Sequence, residues 1–168
     1  MAKRITRNYV NNADLLAALI QYQKDCREAE DAGEPTPRVP DYIGTCIFQI
    51  ATRLATKPNF SGYSYKEDMI SDGIENCLLY INNFNPEKSQ NPFAYFTQII
   101  WYAFLRRIQK EKKQMYIRFK SSQDMLAIGE TYTGENLDLQ FTATADYMSD
   151  FIEDFEDKLE RDKAKKKQ

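Results

Sequence analysis

Hydrophobic positions recur at helical spacing along most of the chain. The strongest case is Phe93–Lys113, FAYFTQIIWYAFLRRIQKEKK. On a helix of 3.6 residues per turn, Phe96, Ile100, Ala103, Phe104 and Ile108 fall on one side. Tyr95, Gln98, Ile99, Tyr102, Arg106, Gln109 and Lys113 fall on the other. A solvated face normally mixes Glu with Lys and has few rings. Here rings at the start give way to cations at the end, which suits unstacked bases on the rings and phosphates on the cations. Taken alone, helical spacing shows burial and nothing more, so a core helix with tolerated tyrosines is the plainer reading.

Three earlier helices are predicted. Asn11 with Asp14 resembles a capping box and opens a helix carrying Leu15, Leu16, Leu19, Ile20 and Tyr22, which ends near Gly33. EPTPRVP (Glu34–Pro40) is a linker by its prolines. Asp41 can cap a second helix in which Ile43, Ile47, Ile50 and Leu54 recur, ended by Pro58. KPNFSGYS (Lys57–Ser64) reads as a turn. Ser64 and Glu67 form a capping box for a third helix to about Asn83, with Met69, Ile70, Cys77, Leu78, Ile81 and Phe84 as its stripe. Asn91–Pro92 gives the central helix an N-cap and a proline in its first turn.

Beyond Gln114 the pattern weakens. Ser121–Ala145, broken by Gly129 and Gly134, predicts a short helix or an extended, mobile segment. A last amphipathic piece carries Tyr147, Phe151, Ile152, Phe155 and Leu159 on one side and acids elsewhere, before the basic tail KAKKKQ. The expected fold is all-α. A compact helical domain over 11–120 follows an arm (1–10), and a connector (121–146) tethers a C-terminal amphipathic acidic helix (147–168).

Composition adds a charge asymmetry. The formal charge of −2 over 168 residues conceals seven Lys/Arg and one acid in Arg106–Lys120, against seven acids and one Lys in Asp146–Glu160. Such segregation points to different partners for the two regions, and any nucleic-acid affinity must be local. Three cysteines without CxxC pairing, and no histidine, leave no donor set for a structural zinc site. No cofactor or metal is expected. The odd cysteine count suits reduced thiols, and neither a signal peptide nor a membrane span is expected.

Glu67–Lys113 resembles region 2 of bacterial sigma factors. Asp68-Met69-Ile70-Ser71-Asp72-Gly73 is similar to the family's acidic-helix signature, and Phe84 with Asn85-Pro86-Glu87-Lys88 to its turn. Phe93-Ala94-Tyr95-Phe96 followed by Ile99-Ile100-Trp101 is similar to its F-S-T-Y-A-x-x-W-I-R signature. A closer resemblance, from Tyr9 to about residue 120, is to the small late-transcription sigma factors of T-even-type phages. It includes YVNNADLLAALI (Tyr9–Ile20) and NFSGYS around Phe60. No second bundle is available for the helix-turn-helix region of a full-length sigma factor.

The resemblance implies a non-enzymatic initiation factor in the cytoplasm of an infected bacterium. Asp68, Ser71 and Asp72 would meet the β′ clamp helices of host core RNA polymerase. Tyr95, Gln98, Ile99, Trp101, Tyr102 and Arg106 would hold the non-template strand of a minus-ten-like promoter element, with Arg107, Lys110 and Lys113 on phosphates. Phe151, Ile152, Phe155 and Leu159 would engage the replication sliding clamp, and a late-transcription coactivator is a further implied partner. This chain departs from the family pattern in having Ile99-Ile100 where many sigma factors have a Trp pair, so Trp101 stands open as melting wedge or core residue. The terminal stripe is likewise open between a partner's groove and the chain's own core. Two rivals are weighed: a nuclease using Asp68, Asp72 and Glu75 as metal ligands, and an adaptor that binds polymerase or clamp without reading DNA.

Overall fold

Asn11 starts the fold by satisfying a backbone donor. Its Oδ1 accepts from the Ala13 N–H at 3.1 Å, and its Nδ2 donates to Asp14 at 2.7 Å. The helix it opens, α1 (Asn12–Ala32), stops at Gly33, whose φ of 70° is the left-handed geometry a side chain resists. Leu15, Leu19 and Tyr22 are buried as their spacing predicts, whereas Ile20 is exposed. Gln23 joins the buried face and donates to the Phe84 carbonyl at 2.8 Å. That bond ties α1 to a loop sixty residues away in sequence.

The computed structural model describes residues 9–133 and 139–165, with side chains over 9–125 and 145–165. Most of the expected N-terminal arm, Gly129 as a side-chain position, Gly134 and the end of the basic tail lie outside those ranges. The described residues form six α-helices and one 3-10 turn, and no strand occurs among them, so the chain is all-α.

In α2 (Asp41–Ala55), Ile43, Ile47, Ile50 and Leu54 are all buried. The capping position is Pro40 rather than Asp41, and no side chain caps it. The expected turn at Lys57–Ser64 contains a single helical turn, α3 (Pro58–Ser61), started by proline. It inserts Phe60 edge-on against Phe104, with centroids 5.1 Å apart. The next helix, α4 (Lys66–Leu79), begins without the predicted Ser64–Glu67 box, because its capping residue is Tyr65 and no side-chain bond forms there. A 3-10 turn, Ile81–Asn83, completes what was expected as one longer helix. Leu78, expected inside, is exposed, since one residue past buried Cys77 is about 100° around the helix.

The central helix, α5 (Pro92–Thr133), is tied down at its start. Asn91 Oδ1 accepts from Ala94 N–H at 3.0 Å, and Asn12 of α1 accepts from Phe93 N–H at 3.1 Å. The expected connector at 121–146 is helical wherever it is described, being shared between α5 and α6 (Leu139–Lys165). The physical reason is pairing between helices. Tyr116 stacks on Phe155 with centroids 4.6 Å apart, and Phe119 meets Phe151 at 5.4 Å and Tyr147 at 6.0 Å. Partner numbers fall along α6 as they rise along α5, so the two run antiparallel. Such contacts outweigh one glycine, whose cost in a helix is about 1 kcal/mol.

The chain divides into two compact units, the first ending at Arg107 and the second starting at Ile108, ahead of the boundary expected near 120. In the first, α2 lies against α1, α3 and α4 over a core that includes Ile47, Met69, Phe96 and Phe104. In the second, Glu156 accepts from Tyr116 Oη at 2.8 Å and from Lys120 Nζ at 3.1 Å. Those two hydrogen bonds hold its carboxyl below the usual value. A depressed carboxyl pKa contributes stability above the unfolded value, and that contribution is lost as pH falls through the folded one. Acidification below about pH 4.5 is therefore expected to loosen the α5–α6 pairing, read as loss of the Tyr116–Glu156 coupling in a pH titration by NMR. A Glu156→Gln variant should show a flatter response.

Candidate functional site

The seam between α4 and the first half of α5 carries the residues of greatest interest. Gly73 lies where a Cβ would meet Ile100 Cγ2 at 3.0 Å and Phe104 Cε1 at 3.2 Å, so the absent side chain lets the helices close. Gly73→Val is expected to lower stability by about 2 kcal/mol through overpacking, measurable as a fall in urea midpoint at unchanged slope.

Beside the glycine, Arg107 binds Asp72 through two bonds, Nε to Oδ2 at 2.6 Å and Nη2 to Oδ1 at 2.7 Å. Their side chains are 17% and 26% exposed. One turn along, Arg106 Nη2 donates to Asn76 Oδ1 at 2.8 Å, while Asn76 Nδ2 donates to the Asp72 carbonyl at 2.7 Å. Asp72, expected at the polymerase, and Arg107, expected on phosphate, are engaged with each other in this structure. The signal was in the spacing: Arg107 is seven residues after Ile100, on the inner stripe.

The outer face of α5 is narrower than its sequence suggests. Tyr95 is half-buried, with its hydroxyl donating to the Tyr80 carbonyl at 2.7 Å and its ring against Phe84 and Phe96. Burial, with a smaller contribution from Cys77, pushes its phenol pKa up. Ile99, expected outside, is half-buried. Gln98 is exposed and Tyr102 is 52% exposed. Trp101 is half-buried, with its ring edge-to-face against Phe60 at a centroid distance of 4.8 Å. Phe93, Gln98, Trp101 and Tyr102 line a shallow recess of about 470 Å³. Flat rings bordered by an amide can stack a base and hydrogen-bond its edge.

Asp68, Ser71 and Glu75 are exposed on the outer face of α4. Beside them stand Leu78 and Leu79, 41% and 69% exposed, over a recess of about 490 Å³ shared with Ile74. The sequence reading missed Leu79, although eleven residues after Asp68 is almost the same helical angle. A mixed acidic and apolar strip is suited to a partner helix carrying both cations and apolar groups.

In the second unit Lys110 and Lys113 are exposed. Ile152 is buried and Phe151 and Phe155 are half-buried in their ring contacts, while Tyr147 and Leu159 are the exposed members of the terminal stripe, at 58% and 41%. Phe151, Ile152 and Phe155 thus pack within the second unit, and Tyr147 and Leu159 stay open.

Among the described residues no group of three His, Cys, Asp or Glu side chains is placed to hold a metal ion. With Asp72 engaged by Arg107, the suggested set Asp68, Asp72 and Glu75 does not converge on a point. Burial pushes the Cys77 thiol up to about 12, the opposite of an activated nucleophile. Among the described residues no helix is long and apolar enough to cross a membrane. No known family's sequence pattern matches the chain, and no curated protein is significantly similar to it.

Proposed function

We propose that the chain is a sigma-type initiation factor of the phage late-transcription class. In this reading it docks on host core RNA polymerase through α4 and holds the non-template strand of an AT-rich, minus-ten-like element on α5. The observation that carries the reading is the recess of Phe93, Gln98, Trp101 and Tyr102, on the helix that α4 buttresses through Gly73 and the Asp72–Arg107 pair. The same segment carries the sigma-like signatures. Docking falls to Asp68, Ser71, Glu75, Leu78 and Leu79. Lys110 and Lys113 are retained as phosphate contacts.

Magnitudes restrict what α5 does alone. Base–aromatic stacking is worth roughly 1–3 kcal/mol per base, and extruding a base costs a few. With Tyr95 engaged internally, Trp101 and Tyr102 roughly balance one flipped base. Melting therefore requires binding energy from the polymerase. Permanganate reactivity of thymines in an AT-rich promoter should appear only with both proteins present. Tyr102→Ala is expected to reduce it at least tenfold. Full reactivity with Tyr102→Ala would remove this face from the reading.

The sliding clamp belongs to the same proposal, with a condition attached. Phe151 and Phe155 are held against Tyr116 and Phe119, so a clamp contact through them competes with α5. Tyr116→Ala, which weakens that hold, should raise clamp affinity severalfold in a surface-binding assay. Unchanged or weaker binding would show that these rings are not the clamp anchors.

The adaptor reading shares the α4 strip but assigns nothing to the rings of α5. The Tyr102→Ala experiment separates the two.

A further inference from the structure

The second unit holds a groove that shares a single residue, Lys113, with the promoter assignment and none with the polymerase assignment. An open groove of about 860 Å³ runs between α5 and the end of α6, walled by Phe151, Phe155 and Leu159. Five cations line it: Lys112 and Lys113 from α5, and Lys158, Arg161 and Lys165 from α6. Two carboxylates, Asp154 and Asp162, share the lining. Among the described residues none of the five cations makes an ion pair. Arg161 spends one donor on the Asp157 carbonyl at 3.2 Å. The remaining acids of Phe151–Lys165, Glu153, Glu156, Asp157 and Glu160, are not in the groove lining, and Glu156 is engaged by Tyr116 and Lys120. A helix that is acidic in composition thus turns a cationic face inward to the groove, which composition alone hides.

We infer that this groove is a second nucleic-acid contact, one that takes a DNA strand by its phosphodiester backbone without selecting bases. Lys158, Arg161 and Lys165 recur at i, i+3 and i+7. They cover about 10 Å of helix axis, which matches roughly three nucleotides at about 3.4 Å per step along one strand. The lysines of α5 stand across from them. The walling rings are engaged with one another, so the groove offers charge rather than stacking. Contacts of this kind supply weak, salt-sensitive affinity in the range of roughly 10⁻⁴ to 10⁻⁶ M. Lys158, Arg161 and Lys165 of α6 carry no promoter assignment, so the inference stands apart from the reading of α5.

The test is fluorescence anisotropy of the full chain with a labelled duplex of arbitrary sequence, between about 50 and 200 mM salt. Lys158→Glu/Arg161→Glu/Lys165→Glu should weaken binding at least tenfold and flatten the log–log salt slope by about 2–3. Lys112→Glu/Lys113→Glu should flatten it by about 2, with helicity by circular dichroism unchanged in both. Tyr102→Ala should leave this binding as it is. Unchanged affinity and slope in both charge-reversal variants overturns the inference, as does loss with Tyr102→Ala alone. Equal competition by a polyglutamate peptide also overturns it, because the groove would then take an acidic protein.

Discussion

Arg107→Ala is expected to destabilise the first unit by about 2–3 kcal/mol. Charge-assisted bonds of this kind contribute about 1.5–3 kcal/mol, and breaking a fully buried pair costs about 3–5. Side-chain exposures of 17% and 26% bring the expectation below the fully buried figure. Most of the loss comes from the Asp72 carboxylate, left half-shielded against α5 without its partner. For a unit of this size that is a fall in melting temperature of roughly 10 °C or more. Arg107→Lys should recover little, because an ammonium cannot reproduce the two-bond fork. A double-mutant cycle with Asp72→Ala should return a coupling energy above about 1 kcal/mol. A loss under about 0.5 kcal/mol in Arg107→Ala, measured by urea unfolding, would mean the pair is not a clasp.

The clasp also changes how docking must be tested. Reversing Asp72 would put two cations against each other and unfold the seam, so a lost interaction would say nothing about the surface. Asp68→Arg with Leu79→Arg is the informative pair, since both side chains are exposed on the outer strip. An apolar anchor at an interface centre is worth about 2 kcal/mol or more, and a like-charge contact costs a similar amount. Together they should weaken assembly with core polymerase about a thousandfold. Stability should change by only about 0.5 kcal/mol per site. Competition for core polymerase equal to that of the parent would remove α4 as the docking element.

The stripes of α1, α2 and α5 were legible because burial imposes a period, and Leu15, Ile43, Ile47, Phe96 and Phe104 sit where that period puts them. Caps were legible where a side chain makes the bond, at Asn11 and Asn91, and misread where nothing does, at Ser64. The continuation of α5 past residue 120 was hidden because Tyr116 and Phe119 belong to a stripe that α6 completes from afar in sequence. Polar side chains were the least legible part. Asp72, Arg107, Tyr95 and Gln23 look like surface chemistry in the sequence, yet each is engaged inside the fold. Each has a partner more than ten residues away, which helical period does not register. Leu79, an apolar residue on a wet face, was the opposite case.

On the proposed function, this chain gives core polymerase the ability to start at AT-rich promoters. Run-off transcription by purified host core enzyme, with and without the protein, on AT-rich phage late-promoter duplexes tests it most directly. Defined run-off product is expected only when the protein is added, abolished by Asp68→Arg/Leu79→Arg and reduced at least tenfold by Tyr102→Ala. Core enzyme that binds the protein yet yields no promoter-dependent product would contradict it.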